Sequence, residues 1–169
     1  MRLGKSQATR DVLILRVGSY ACAIPSKQVA ELILMPALIR LPGQPAILDG
    51  FMNLRGAAVP VTSLHRLFQL PAPEPDLHTP LIAIRTPNGL LALRADTVEE
   101  VAAVDDAALM PYAPMDSLNH CAKAQFHWNG QEVALLSPDL LLLAKERECV
   151  AGLQAQMQRR LEDLEAPAA

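Results

Sequence analysis

Leu81-Ile82-Ala83-Ile84-Arg85-Thr86-Pro87-Asn88-Gly89-Leu90-Leu91-Ala92-Leu93 decides the fold, because it is two short apolar runs around a tight turn and has a counterpart earlier in the chain. Apolar runs of this length bounded by Pro, Asn and Gly predict a β-hairpin, with Asn88-Gly89 supplying the positive φ values of the turn. Sliding the chain by 69 positions (81 − 12) lays it on Val12-Leu13-Ile14-Leu15-Arg16-Val17, Gly18-Ser19 and Tyr20-Ala21-Cys22-Ala23-Ile24. The same shift superposes Leu15 on Ile84, Arg16 on Arg85, Ala23 on Ala92, Val29 on Val98, Glu31 on Glu100 and Leu32 on Val101. A second match, at 74 positions (130 − 56), sets Gly56 on Gly130, Val59 on Val133, Val61 on Leu135 and Ser63 on Ser137. Such a repeat governs architecture. It predicts two related β-units, each of two hairpins, and units of four or five short strands close into small barrels that leave little edge unpaired.

Working outward, Phe51 to Leu54 and Ala57 to Val61 flank Arg55-Gly56 as another hairpin, matched by Phe126-His127-Trp128, Asn129-Gly130 and Val133 to Leu136. Pro60 has no N–H for a ladder, so its strand is expected at an edge or with Pro60 facing outward. Residues 1–10 read as a disordered tail, and Pro25-Ser26 opens either a helical turn or a continuing strand. The stretch 35–45, with three prolines and a glycine, is an extended connector. Pro71-Ala72-Pro73-Glu74-Pro75 is a stiff linker between repeat halves at about 12–70 and 79–137. Ser137-Pro138-Asp139 has the N-cap, N1 proline and acidic first turn of a helix start, which predicts a C-terminal helix over 138–166. Val150, Leu153, Met157, Leu161 and Leu164 form its apolar stripe, with Gly152 as a point of interruption. That stripe either packs on the body of the protein or is offered to a partner.

Composition agrees. Leu and Ala, 28 and 26 of 169 residues, favour helices, but 14 prolines confine any long helix to the stretch after Pro138. A net charge of −3 without a basic cluster offers nothing to a phosphate backbone, so nucleic acid is not an expected partner. Cys22, Cys121 and Cys149 are odd in number and widely spaced, which suits a reducing cytoplasm and neither a disulfide framework nor a structural zinc. The polar start MRLGKSQATRD and the lack of a long uncharged apolar run predict a cytoplasmic protein with no direct membrane insertion.

Catalytic chemistry finds little support. His120-Cys121 with His127 fits no familiar metal or nucleophile spacing, and Glu99-Glu100 and Asp105-Asp106 would point to opposite faces of a strand. Nucleotide, nucleophile-elbow and metalloprotease motifs do not occur, so no catalytic residue, cofactor or metal is expected. A small enzyme using Cys121 and His127 is the weak competitor. Asn53-Leu54-Arg55-Gly56 differs in kind, since it sets planar cationic donors at the tip of a tight turn. Arg55 there either reaches another protein, solvates the turn or pairs with a neighbouring acid. Glu31 is either an ordinary surface acid or part of a contact.

The order Gly50-Phe51-Met52-Asn53-Leu54-Arg55-Gly56-Ala57-Ala58-Val59-Pro60-Val61, preceded by Val29-Ala30-Glu31-Leu32 and followed by Ser63-Leu64, resembles the CheW family of chemotaxis coupling proteins. Asp96-Thr97-Val98-Glu99-Glu100-Val101 and the apolar close at Leu135 to Leu143 extend the likeness over about residues 11–145. The resemblance implies two interlocked SH3-like five-stranded β-barrels on a shared aliphatic core, with no catalysis. It implies an adaptor bridging the cytoplasmic tip of methyl-accepting chemoreceptors to the regulatory domain of a CheA-type histidine kinase, at membrane-associated receptor arrays. Matched by motif, Val29, Gly50, Asn53, Leu54, Arg55 and Gly56 would be receptor-binding, and Glu31 and Leu32 kinase-binding. Ser63 and Ser137 stand where the family usually has Asp, and Thr97 replaces a common Gly, so service in a pilus or other non-flagellar array is the alternative.

Overall fold

The computed structural model describes residues 8–111 and 121–165. Its chain runs through β1 (Thr9–Val17), β2 (Tyr20–Pro25), β3 (Val29–Leu34), β4 (Leu48–Leu54), β5 (Ala57–Ser63), a short helix α1 (Leu64–Leu67), β6 (Pro80–Thr86), β7 (Gly89–Arg94), β8 (Thr97–Asp105), β9 (Met110–Pro111), β10 (Ala122–Trp128), β11 (Gln131–Leu136) and α2 (Ala144–Glu165). Both readings of Pro25-Ser26 are realised, a 3-10 turn over Ser26–Gln28 running straight into β3. Thr9 and Arg10, read as tail, open β1 instead, where Arg10 pairs with Asp106 at 2.7 Å, and Ala8 just before them accepts from Asp106 N at 2.9 Å; residues 1–7 lie outside the described residues, as does most of the Pro111 to Leu118 loop.

Two sheets form, in the orders β8-β1-β2-β11-β10-β9 and β3-β6-β7-β5-β4. Neither sheet coincides with a sequence half. The first joins β1 and β2 to strands from beyond Pro80, and the second joins β6 and β7 to β3, β4 and β5 from before the linker. This exchange is reciprocal to the residue. Leu15 faces Val98 and Ile14 faces Glu100 in one sheet, and Ile84 faces Val29 and Ala83 faces Glu31 in the other, each with an irregularity at the same step. The parallel pairs Leu135 with Ala23 and Val61 with Ala92 are likewise equivalent. Where closed barrels are expected, the ladders stay open: β3 and β4 are edges of one sheet, β8 and β9 of the other.

Period-two alternation divides the core. On β1, Leu13, Leu15 and Val17 face a cluster shared with Ile82 and Ile84 of β6 and Leu91 and Leu93 of β7, whereas Val12 and Ile14 face a separate cluster with Phe126 and Val133. Aliphatic side chains therefore fill each sheet's interior and the layer between the sheets.

Two turn details differ from expectation. Thr86 pairs with Gly89, so the loop is Pro87-Asn88, and Gly89 alone takes a positive φ, of 112°. Pro87 at the first loop position fixes the φ that such a turn requires. Pro60 is buried in an interior strand, not at an edge. Phe51, opposite it, gives its N–H and C=O to Ile39 of the connector, both at 2.8 Å. The Pro60 nitrogen thus faces the β7 side, where the parallel ladder begins only at Val61 and no donor is missed.

The C-terminal helix starts later than its sequence signal. Ser137 makes no capping bond, Pro138–Leu140 is a 3-10 turn, and α2 begins at Ala144 with Glu146 Oε1 accepting from Leu143 N at 2.8 Å. It runs through Gly152 to Glu165, and residue 166 lies outside the described residues. Val150, Met157 and Leu161 pack on Leu41, Leu48, Phe51 and Ala58, whereas Leu164 stays exposed.

Candidate functional site

The β4–β5 turn is built to present one side chain. Arg55 and Gly56 both take positive φ, 50° and 88°, the pattern of a two-residue turn whose twist matches its strands. A bulky residue resists that conformation, so the turn is held from both sides. Asn53 Oδ1 accepts from Gly56 N at 2.8 Å. Leu54 packs beside Met52 and Val59 in the interior of the second sheet. Arg55 is left at the tip with 73% of its side chain exposed.

That tip reaches the opposite edge of the sheet. Arg55 Nη2 donates to Glu31 Oε1 at 2.5 Å, joining the β4–β5 turn to β3 although the two edge strands share no ladder. The hydrogen bond and the charge of Glu31 raise the guanidinium pKa above its already high ordinary value, so Arg55 is a permanent cation. Next to Glu31, Leu32 and Leu34 lie about half exposed on one side of the edge strand. An exposed ion pair beside exposed leucines, on an edge whose backbone faces outward, has the character of a protein-binding surface.

Val29 and Gly50 are placed differently. Val29 is half-buried against the shared core, and its carbonyl accepts from Arg85 Nη1 at 3.0 Å. In the equivalent position, Arg16 bonds Glu99 at 2.5 Å; the counterpart of Glu99 is Ala30 (99 − 69), so Arg85 turns to backbone carbonyls. Gly50 is buried at φ 149°, and a Cβ there would stand 2.8 Å from the Ile39 carbonyl oxygen. Close packing of the connector on β4 requires it.

At the end of β4 and β5 away from the turn lies a buried charge cluster that sequence reading missed. Arg94 is 2% exposed and Asp49 4% exposed, so each needs the other. Arg94 Nε lies 2.7 Å from Asp49 Oδ2, and Arg94 Nη2 donates to Asp49 Oδ1 at 3.1 Å and Ser63 Oγ at 3.2 Å. Arg94 Nη1 donates to the Pro73 carbonyl at 2.7 Å, which ties the linker to β7. Ser63 also caps α1, accepting from Arg66 N at 3.4 Å, a role an Asp fills equally well. The only sequence signal was an arginine closing an apolar strand.

Nucleophile chemistry is not assembled. Cys121 is buried and its thiol is pushed up to about 11, mainly by burial, opposite to the shift an attacking thiolate needs. His127 is exposed and lies 3.8 Å from Glu132, and His120 falls outside the described residues. Among the described residues no group of three or more His, Cys, Asp and Glu is placed to hold a metal. No described helix is long and apolar enough to cross a membrane.

Two interlocked open sheets share an aliphatic layer, and the second presents an arginine-tipped turn beside the exposed leucines of an edge strand, the build of a binding scaffold. Residues 11–146 match the CheW-like domain, and the chain belongs to that family. It is a scaffold and not an enzyme. It is 24% identical over 141 residues to the chemotaxis protein CheW of Rhizobium meliloti (strain 1021), covering 82% of this chain and 91% of the relative. The fold is similar to that of the scaffolding protein TtCheW from Thermoanaerobacter tengcongensis, with a TM-score of 0.76 at 16% identity over 82% of this chain and 96% of that one.

Proposed function

We propose that the protein is a non-catalytic adaptor that couples methyl-accepting chemoreceptors to a CheA-type histidine kinase, acting in the cytoplasm at receptor arrays. In this reading the Asn53–Gly56 turn, with Val29 nearby on β3, meets the helical tip of a receptor. Glu31 and Leu32 meet the regulatory domain of the kinase. Gly50 serves the receptor contact indirectly, by seating β4 under the connector.

The observation that carries the reading is the Arg55–Glu31 ion pair, which makes the two expected contact surfaces adjacent. A partner that engages one of the pair alters what the other offers, so the two binding events are linked reciprocally. Capture from a native cell extract tests it. The wild-type chain should recover a chemoreceptor together with a CheA-type kinase, and Arg55→Glu should lose the assembly while staying folded. Recovery of neither partner by the wild-type chain would refute the adaptor role.

A further inference from the structure

The outward backbone at Gly56 and at Ala58, where the chain leaves the turn and enters β5, lies ahead of the β7 ladder, whose first pair is Val61 with Ala92. Side chains of α2 take its place. Gln158 Oε1 accepts from Ala58 N at 2.8 Å while Gln158 Nε2 donates to Gly56 O at 2.9 Å, and Gln154 Nε2 donates to Ala58 O at 2.9 Å. Pro60, next on that side, has no N–H to satisfy. Two glutamines one helical turn apart thus act as a surrogate strand along the half of β5 that leads out of the Arg55-Gly56 turn. Apolar packing of Val150, Met157 and Leu161 fixes the helix, so the amides arrive in a set geometry.

We propose that α2 is a working part of the recognition hairpin, with Gln154 and Gln158 as positioning residues that hold Ala58 and Gly56 and so aim Arg55. The proposal rests on the Asn53–Gly56 turn being the receptor contact. A helix that merely covered apolar surface would need only its leucines, methionine and valine; it would not need amides matched in donor and acceptor sense to consecutive groups of one strand edge. Releasing the Gly56 carbonyl and the Ala58 N–H frees the turn to sample other orientations, at a cost to any partner that binds Arg55 in one of them.

The test uses Gln158→Met, which keeps side-chain length and helix propensity, in the full chain. Amide hydrogen exchange should show faster exchange at Ala58, with the amides of the shared core unchanged. Affinity for a soluble receptor-tip fragment should fall about three- to tenfold, the range of one or two net hydrogen bonds, with affinity for the kinase regulatory domain unchanged. Gln158→Ala should act in the same direction, and a cycle with Arg55→Ala should be non-additive. Unaltered exchange at Ala58, or unaltered receptor affinity where Arg55→Glu abolishes binding, overturns the positioning role. Unaltered receptor binding by Arg55→Glu itself would instead overturn the functional reading on which it rests.

Discussion

The Arg55 guanidinium and the Glu31 carboxylate, 2.5 Å apart, join the β4–β5 turn to the edge strand β3 across a sheet that backbone hydrogen bonds leave open. An exposed pair of this kind adds little to stability, because water solvates either charge almost as well and salt screens both. Its worth is positional. The denaturation midpoint of Arg55→Ala is expected to equal that of the wild type, whereas the on-rate for a receptor fragment should lose part of its salt dependence.

Arg94 and Asp49 present the opposite case. Removing one member strands a buried charge, so Arg94→Met should cost about 3–5 kcal/mol in urea unfolding. Adding Asp49→Asn to that variant should recover part of the loss, since the orphaned carboxylate is then neutral. Equal stability of Arg94→Met and the wild type would contradict the buried pairing.

Two glycines should respond with opposite sign. Gly152 lies exposed within α2, where an added Cβ meets no atom within 4 Å, so Gly152→Ala should stabilise by about 0.5–1 kcal/mol. Gly50→Ala would press its Cβ on the Ile39 carbonyl and strain a positive φ, and should destabilise by about 1–3 kcal/mol. Thermal unfolding of both variants reads the two signs directly.

Burial pushes the Cys22 thiol up to about 12 and the Cys121 thiol up to about 11, from an ordinary 9.0. The folded chain therefore keeps both protons at pH values where the unfolded chain releases them. Stability gains from this difference below pH 9 and declines as pH rises from about 9 toward 11–12. Urea midpoints measured from pH 7 to 10 should fall less steeply above pH 9 for Cys22→Ala than for the wild type. At pH 8, the partly exposed Cys149 should alkylate before either buried thiol.

Much of this was legible in the chain. The hairpins follow from alternation and turn residues, and the offset of 69 carries over to the pairing of Leu15 with Val98 and of Val29 with Ile84. What a repeat does not reveal is which half supplies each neighbour, because Leu15 and Ile84 present equally apolar faces to either partner strand. Ser137-Pro138-Asp139 has the composition of a helix start, yet the chain spends it on a 3-10 turn that carries β11 over to the position of α2. Gln154 and Gln158 look like ordinary solvent-facing residues, and only the gap in the ladder beside Pro60 gives them work. The Asn53–Gly56 turn and Glu31 were each visible alone, but their contact depends on two sheet edges that are far apart in pairing order.

Coupling through the Arg55 turn is tested most directly by kinase activity in a reconstituted array of receptor, CheA-type kinase and adaptor. Arg55→Glu should remove receptor control of autophosphorylation while the isolated variant unfolds at the wild-type midpoint. Full receptor control with Arg55→Glu would contradict it.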